Sequence, residues 1–480
     1  MTSTDGGRSS ALGRRAVERR LGLVTDLYEL TMAASYHRLG MHDRATFSLF
    51  VRKLPAHRSF LVAAGLEDAL ARLERLGFDD EGIDYLVTTG HVRPEEADAL
   101  ARVRFTGDVR AVREGRVVFP GEPLVEVDAP IIEAQLAESL ILNAIHYPTL
   151  VATKAARCVA VAGGRPLVDF GLRRTPGIDA SVDVARACWL AGFASTSNVH
   201  AARRLGIPAS GTVAHAFIEA MPDERAAFEA WARTTVGPLT LLVDTYDTLS
   251  GTRRAIELAR RLRGEGRALA SLRLDSGDLE ALSRAVRQLL DDAGLRDVRI
   301  FASGGLDEYA IDRLVRARAP IDGFGVGTRV GMSADAPVLD MAYKIVAYAG
   351  RPCLKLSAGK ATIVGPKQVW RRRDSGGRLV ADRIAALDEP APTSGDWEPL
   401  LEPVVSDGRA LRRPRLAELR SAHAAEVARL PAELRAIAPD EPRATYAVSI
   451  SRVLAERHRA AVRETRRREG LEPRRDGQAS

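Results

Sequence analysis

Between about Thr149 and Ala347 the chain repeats one unit: a short apolar run, a polar or glycine-rich tip, then an amphipathic helix. RPLVDFGLRR, LTLLVDTYDT, ALASLRLDSGDL, VRIFASGGLDE and IDGFGVGTRV are its clearest copies. After LDSGDL, residues Leu279, Leu282, Val286, Leu289 and Leu290 recur at helical spacing. After SGG, Leu306, Ala310, Ile311 and Leu314 do the same, with acidic Asp307 and Glu308 in the first turn. Successive strand–tip–helix units imply a parallel sheet, and this many favour an α/β barrel, with an open doubly wound sheet as the alternative.

The flanks read differently. Residues 1–20 look like a disordered leader, and 21–148, opening on the helical YELTMAASYHRLG, like an N-terminal α+β domain. The barrel takes 149–347, and the strand-rich 348–413 is expected to pack with the N-terminal domain. Residues 414–480 read as a helical, arginine-rich segment with a disordered end. A length of 480 residues, 46% hydrophobic and 28% charged, suits two or three domains with a sizeable core. There is no uninterrupted apolar run of about 18 residues and no apolar leader core, so neither a membrane span nor a secretory signal is expected. The three cysteines (Cys158, Cys188 and Cys353) lack metal-ligand spacing and suit a reducing compartment, the cytoplasm. Cys188 reads as a small buried helix residue.

The net charge of +7 comes almost wholly from arginine, since only six lysines occur. No basic stripe interleaves with aromatics, which make up 5% of the chain, so nucleic acid is not an expected partner. Where arginine has replaced lysine so widely, the remaining lysines stand out. Lys344, Lys355, Lys360 and Lys367 lie close together in sequence, which hints at a place where a compact ammonium matters.

In barrel-like folds the chemistry gathers at the carboxyl ends of the strands, where the polar tips lie. Asp169 to Arg174 sets two guanidiniums beside Phe170, and Asp244 to Asp247 offers carboxylates and hydroxyls. Arg273 to Asp278 alternates charge. Ser303-Gly304-Gly305 and Gly325-Val326-Gly327-Thr328 are small loops whose backbone N–H groups can approach an anion. Arg173, Arg174 and Arg273 suit bidentate binding of carboxylate or phosphate, against the alternative of plain surface arginines. Asp244, Asp275 and Asp278 suit ribose hydroxyls or a hydrated Mg²⁺, against helix capping, which fits Asp278 best. Phe170 offers a face to a flat ring, against core packing. His215, among the small residues of GTVAHAF, presents an imidazole that can be phosphorylated or pass a proton. Such tips suit a substrate with phosphates, a sugar and a flat ring.

These tips, with TDLYELTMA (Thr25 to Ala33), ILNAIHYPTLVATKAAR, GFASTSNV, GIPASGTVAHAF and YKIV, resemble nicotinate phosphoribosyltransferase. The motifs occur in that family's order across roughly residues 21–370. The resemblance implies a type II phosphoribosyltransferase fold: an irregular α/β barrel, an α+β domain built from both flanks, and a helical C-terminal tail. It also implies a homodimer with shared active sites, Mg²⁺ as cofactor and ATP as co-substrate. By motif position His215 matches the histidine that the family phosphorylates with ATP. Tyr28, Thr212 and Arg273 match nicotinate contacts, with Tyr28 reaching in from the partner subunit, and Phe170 matches a stacking aromatic. Thr328, with Gly304, Gly305 and Gly327, falls where the 5-phosphate of phosphoribosyl pyrophosphate is held; Arg173 is expected to bind phosphoribosyl pyrophosphate too, and Asp244 or Asp275 to orient the ribose and metal. Two positions depart from the family pattern. Thr175-Pro176 stands where alanine–glutamine is frequent, and His146 where asparagine is common.

The implied reaction is attack of the pyridine nitrogen on the ribose anomeric carbon as pyrophosphate leaves. In the related nicotinamide enzyme an aspartate matches Ser197; a serine there does not repel a carboxylate, which favours nicotinate. The alternatives are a nicotinamide or quinolinate phosphoribosyltransferase, or a non-catalytic binder of NAD-pathway metabolites.

Overall fold

The computed structural model describes residues 20–357, 362–437 and 444–471. Residues 1–19 of the expected leader (1–20), the extreme C-terminus (472–480) and Lys360 lie outside the described residues. Six short strands form a curled parallel sheet in the order Ser195–Thr196, Leu167–Asp169, Gly323–Val326, Arg299–Ala302, Leu269–Leu274 and Leu239–Leu242. Every neighbouring pair is parallel, so all six carboxyl ends lie on one edge. The sheet is a half barrel. From Val199 to Thr234 the chain is mostly helical, touching the sheet's edge through one bridge, Thr196 to Ala209.

The crossover helices form where the apolar spacing places them. Helix Leu279–Asp292 buries Val286 and Leu290 fully and lays Leu279, Leu282 and Leu289 against the same core. Burial of each such side chain is worth about 1.5–3 kcal/mol. Asp247, Asp278 and Asp307 cap the helices that follow them, each accepting first-turn N–H groups. Asp278 is therefore a helix cap. Cys188 is buried on helix Ile178–Ala191.

Beside the half barrel lies a seven-stranded antiparallel sheet drawn from both flanks. Its order is Arg351–Pro352, Met341–Tyr348, Arg44–Val51, Pro123–Pro130, Asp108–Val112, Leu401–Ser406, Arg409–Ala410. Strands Asp396–Pro399, Lys367–Arg373, Leu379–Ala386 and Ala447–Ile450 form a smaller sheet. Met341–Tyr348 pairs along Arg44–Val51, so the chain leaves the barrel before 341 rather than at 347. The C-terminal segment carries the strand Ala447–Ile450 as well as helices Leu416–Ala428 and Arg452–Arg468.

One long helix, Ile131–Val161, runs unbroken through Pro148 and past the residue 148 boundary. Its first half (Ala134, Leu136, Ala137, Leu140, Ile141) packs into the α+β core, and its second half (Val151, Ala152, Ala155, Ala156, Cys158) into the barrel core. A helix buried on most sides carries no clean amphipathic period, so its extent was hidden in the sequence. Among the described residues no helix is long and apolar enough to cross a membrane.

Candidate active site

Arg273, within strand Leu269–Leu274, organises the carboxyl edge. Its Nε donates to Ser303 Oγ at 2.8 Å, its Nη1 to Thr212 Oγ1 at 2.9 Å and its Nη2 to Asp275 Oδ1 at 2.7 Å. Its guanidinium lies 5.3 Å from the centre of the Phe170 ring. Ser303 also donates to Asp275. Burial pushes the Asp275 carboxyl up, but the Ser303 hydroxyl and the Arg273 charge outweigh it and hold it below the ordinary carboxylate range.

His215 opens the short helix His215–Glu219. Its Nδ1 lies 3.0 Å from Thr245 Oγ1 and its Nε2 3.7 Å from Asp275 Oδ2. With its side chain 37% exposed, the imidazole is both oriented and reachable. Asp244 accepts the Asp275 N–H at 2.9 Å and the Ser276 hydroxyl at 2.6 Å through Oδ2, while its Oδ1 is buried without a hydrogen-bond partner among the described residues. No group of three or more His, Cys, Asp or Glu among the described residues is arranged to hold a metal by itself.

The glycine loops let neighbouring strand ends close up. Gly304 has φ +92°, and a Cβ there would fall 1.9 Å from the Asp275 carbonyl oxygen. A Cβ on Gly327 would fall 2.8 Å from the Phe170 carbonyl. Gly305 and Thr328 follow in the same two loops, Thr328 exposed at the start of helix Thr328–Gly331. On the other side of Phe170, Val168 pairs with Ser195 and Asp169 with Thr196, which brings Ser197 level with Phe170. Buried Asp169 fixes this corner by accepting the Gly171 N–H and the Thr196 hydroxyl, both at 2.7 Å.

His215, Thr212, Arg273, Asp275, Asp244 and Phe170 are thus brought together, with the loops of Gly304, Gly305, Gly327 and Thr328 alongside. Arg173 and Arg174 stand exposed on the turn Leu172–Arg174 that follows Phe170. Tyr28 is not in this cluster: it lies half-exposed on helix Leu27–Arg38 of the α+β domain. Burial and nearby Glu138, Glu29 and Asp26 push its phenol up to about 12. Ser303 and Thr245, visible in the sequence only as loop residues, supply the hydroxyls that hold Arg273, Asp275 and His215. A small hydroxyl beside a charged tip was the available signal.

The solved structure of human nicotinic acid phosphoribosyltransferase matches this fold with a TM-score of 0.81 at 29% identity, covering 91% of this chain and 99% of that one. A nicotinate-nucleotide pyrophosphorylase from Pyrococcus furiosus matches with a TM-score of 0.70 at 26% identity, covering 86% of this chain and 97% of that one. The half barrel with its α+β companion is a type II phosphoribosyltransferase fold. In sequence, residues 23–146 match the nicotinate phosphoribosyltransferase (NAPRTase) N-terminal domain and residues 166–350 the NAPRTase family. Nicotinate phosphoribosyltransferase pncB2 of Mycobacterium tuberculosis is 49% identical over 91% of this chain and 93% of its own length. The Bacillus subtilis enzyme of that name is 42% identical over 77% of each chain. The chain belongs to the nicotinate phosphoribosyltransferase family.

Proposed function

We propose that the protein joins nicotinate to the ribose of phosphoribosyl pyrophosphate, making nicotinate mononucleotide for NAD synthesis, and couples this to ATP through a phosphohistidine at His215. The observation that carries the reading is the cluster of Arg273, Asp275, Ser303 and His215 on the carboxyl edge of a chain in this family. The pyridine nitrogen attacks the anomeric carbon, and the bond to pyrophosphate breaks through an oxocarbenium-like transition state. That nitrogen has no proton to lose, so the step needs no general base.

Arg273 supplies positive charge toward the ring carboxylate, and Thr212 beside it a hydroxyl. Phe170, with Tyr28 from the partner of a homodimer, holds the ring in line. Arg173 and the two glycine loops take the phosphates. Asp244 and Asp275 fit Mg²⁺, because a cation that keeps its waters and shares substrate phosphates needs only one or two carboxylates, and Asp244 Oδ1 is buried and unpartnered. When bound, Mg²⁺ supplies neutralising charge for the departing pyrophosphate. His215 takes the γ-phosphoryl group of ATP on a ring nitrogen as ADP leaves, and water later cleaves the N–P bond. The hydroxyl of Thr245 and the carboxylate of Asp275 fix the imidazole for that transfer. Cysteine usage supports a cytoplasmic setting.

The test is a purified-protein assay with phosphoribosyl pyrophosphate, Mg²⁺ and ATP, offering nicotinate, nicotinamide and quinolinate in turn, with His215→Ala alongside. Product from nicotinate and loss of coupled ATP hydrolysis in the variant are expected. Turnover of nicotinamide or quinolinate in place of nicotinate overturns the substrate, and full coupling in His215→Ala overturns the phosphohistidine.

A further inference from the structure

The two glycine loops lead into segments that run back to one buried lysine. Glu308 opens the helix Glu308–Arg316 just after Gly304-Gly305, and Asp335 follows the turn after Thr328–Gly331. Lys154, on the long helix, places its Nζ 2.7 Å from Glu308 Oε2 and 2.6 Å from Asp335 Oδ1. Lys154 is 1% exposed and Glu308 fully buried. Arg157, one turn on, holds the other Glu308 oxygen at 3.0 Å and the His57 carbonyl at 2.7 Å. Buried Arg58 donates to Asp335 at 3.1 Å and to Ser333 Oγ at 2.8 Å.

The backbone here is held in an uncommon shape. His57 and Ser333 are two of five non-glycine residues with positive φ among the described residues, at +61° and +44°. Such conformations persist where the surroundings over-determine them. The long helix grips the same segment twice more: Tyr147 donates to the Gly331 carbonyl, and His146 Nε2 accepts the Leu339 N–H at 2.9 Å. A buried ion cluster is a poor source of stability, because well-packed apolar side chains of like volume do as well or better. What it provides here is distance: one ammonium ties two carboxylates, and each carboxylate lies on the segment that follows a different glycine loop. Lysine suits the place, since a compact ammonium fits between two oxygens where a planar guanidinium would push them apart.

We propose that Lys154 is a positioning residue for the phosphorylated sugar, setting the spacing of the two glycine loops by bridging Glu308 and Asp335. The inference rests on the reading of those loops as the site for the sugar phosphate. Its test compares wild type, Lys154→Met and Asp335→Asn as full chains, by calorimetric binding of ribose 5-phosphate and by the KM values for phosphoribosyl pyrophosphate and nicotinate. Both variants are expected to bind ribose 5-phosphate about tenfold more weakly or worse. The KM for phosphoribosyl pyrophosphate should rise in step, with the nicotinate KM within about twofold. Lys154→Arg, which keeps the charge but not the fit, is expected to fall between Lys154→Met and wild type. If Lys154→Met does not fold, the partly exposed Asp335→Asn carries the test.

Unchanged ribose 5-phosphate affinity in a folded variant overturns the proposal, as does an equal rise in both KM values or a wild type that binds no ribose 5-phosphate. A wild type that binds ribose 5-phosphate but forms no product defeats the proposed reaction, while the comparison of affinities still decides the role of Lys154.

Discussion

Arg273 has three side-chain oxygen partners, on Ser303, Thr212 and Asp275, and only a planar fork satisfies them from one strand position. Its removal would take the guanidinium beside Phe170 and leave the half-buried Asp275 without its ion-pair partner. Arg273→Ala is expected to cost about 100-fold or more in kcat/KM for nicotinate, read by steady-state kinetics; a loss below threefold would deny it a role in the site. Ser197 stands level with Phe170 just past the end of the neighbouring strand Ser195–Thr196, where, in the proposed binding of nicotinate, a carboxylate would meet the ring carboxylate with like charge. Ser197→Asp should lower kcat/KM for nicotinate by about tenfold or more, and unchanged nicotinate kinetics would remove the specificity argument. The charged tips were legible from residue type alone. The pairing of Arg273 with Thr212, 61 residues away, was not, because no local pattern encodes it.

Among the elements, helix Leu27–Arg38 docks on the long helix through Glu29, which is fully buried and takes the Ser139 hydroxyl at 2.9 Å and that of Thr25. Burial, against the help of those two hydroxyls, pushes the Glu29 carboxyl up to about 7 from an ordinary 4.5. A carboxyl raised on folding favours the folded state while it stays protonated. Its contribution is whole below about pH 4.5 and is lost as pH rises through about 7. Glu29→Gln is therefore expected to raise the melting temperature at pH 8 relative to wild type and to change it little at pH 4.5. An equal shift at both pH values would show that packing, and not ionisation, decides it. The cap at Asp278 was readable because capping is local chemistry, whereas Asp247, read as part of a polar tip, and Asp307, read as a first-turn acid, prove to be caps as well. The long helix was not, since both ends of it are buried in different cores.

For the whole molecule, the C-terminal segment is held by a buried ion cluster under the smaller sheet. Fully buried Arg371 pairs with Asp382 on its neighbouring strand and with Glu426 on helix Leu416–Ala428, each at 2.5 Å, and Tyr446 donates to Asp382 at 3.1 Å. Removing the cation leaves buried Asp382 without its ion-pair partner, while Glu426 keeps Arg116 at 3.0 Å, so Arg371→Met is expected to cost about 3–5 kcal/mol in denaturant unfolding; a loss under 1 kcal/mol would mean the Asp382 carboxyl takes up a proton without strain. Six of the 70 basic residues are lysines, and the sequence pointed to their grouping after 344. The structure marks one of that group, Lys367, and Lys154 outside it by burial: Lys154 is caged by two carboxylates, and Lys367 lies 3.1 Å from Glu126 with the Ser48 hydroxyl at 3.0 Å. Periodicity, caps and polar tips are set by neighbours along the chain, so the sequence by itself determined the parallel α/β unit and the residues at its strand ends. Which tips meet, where the barrel stays open and which charges are buried together depend on contacts across scores of residues. Those were decided only when the two cores closed around the long helix, because burial and pairing are properties of the packed chain and not of any segment within it.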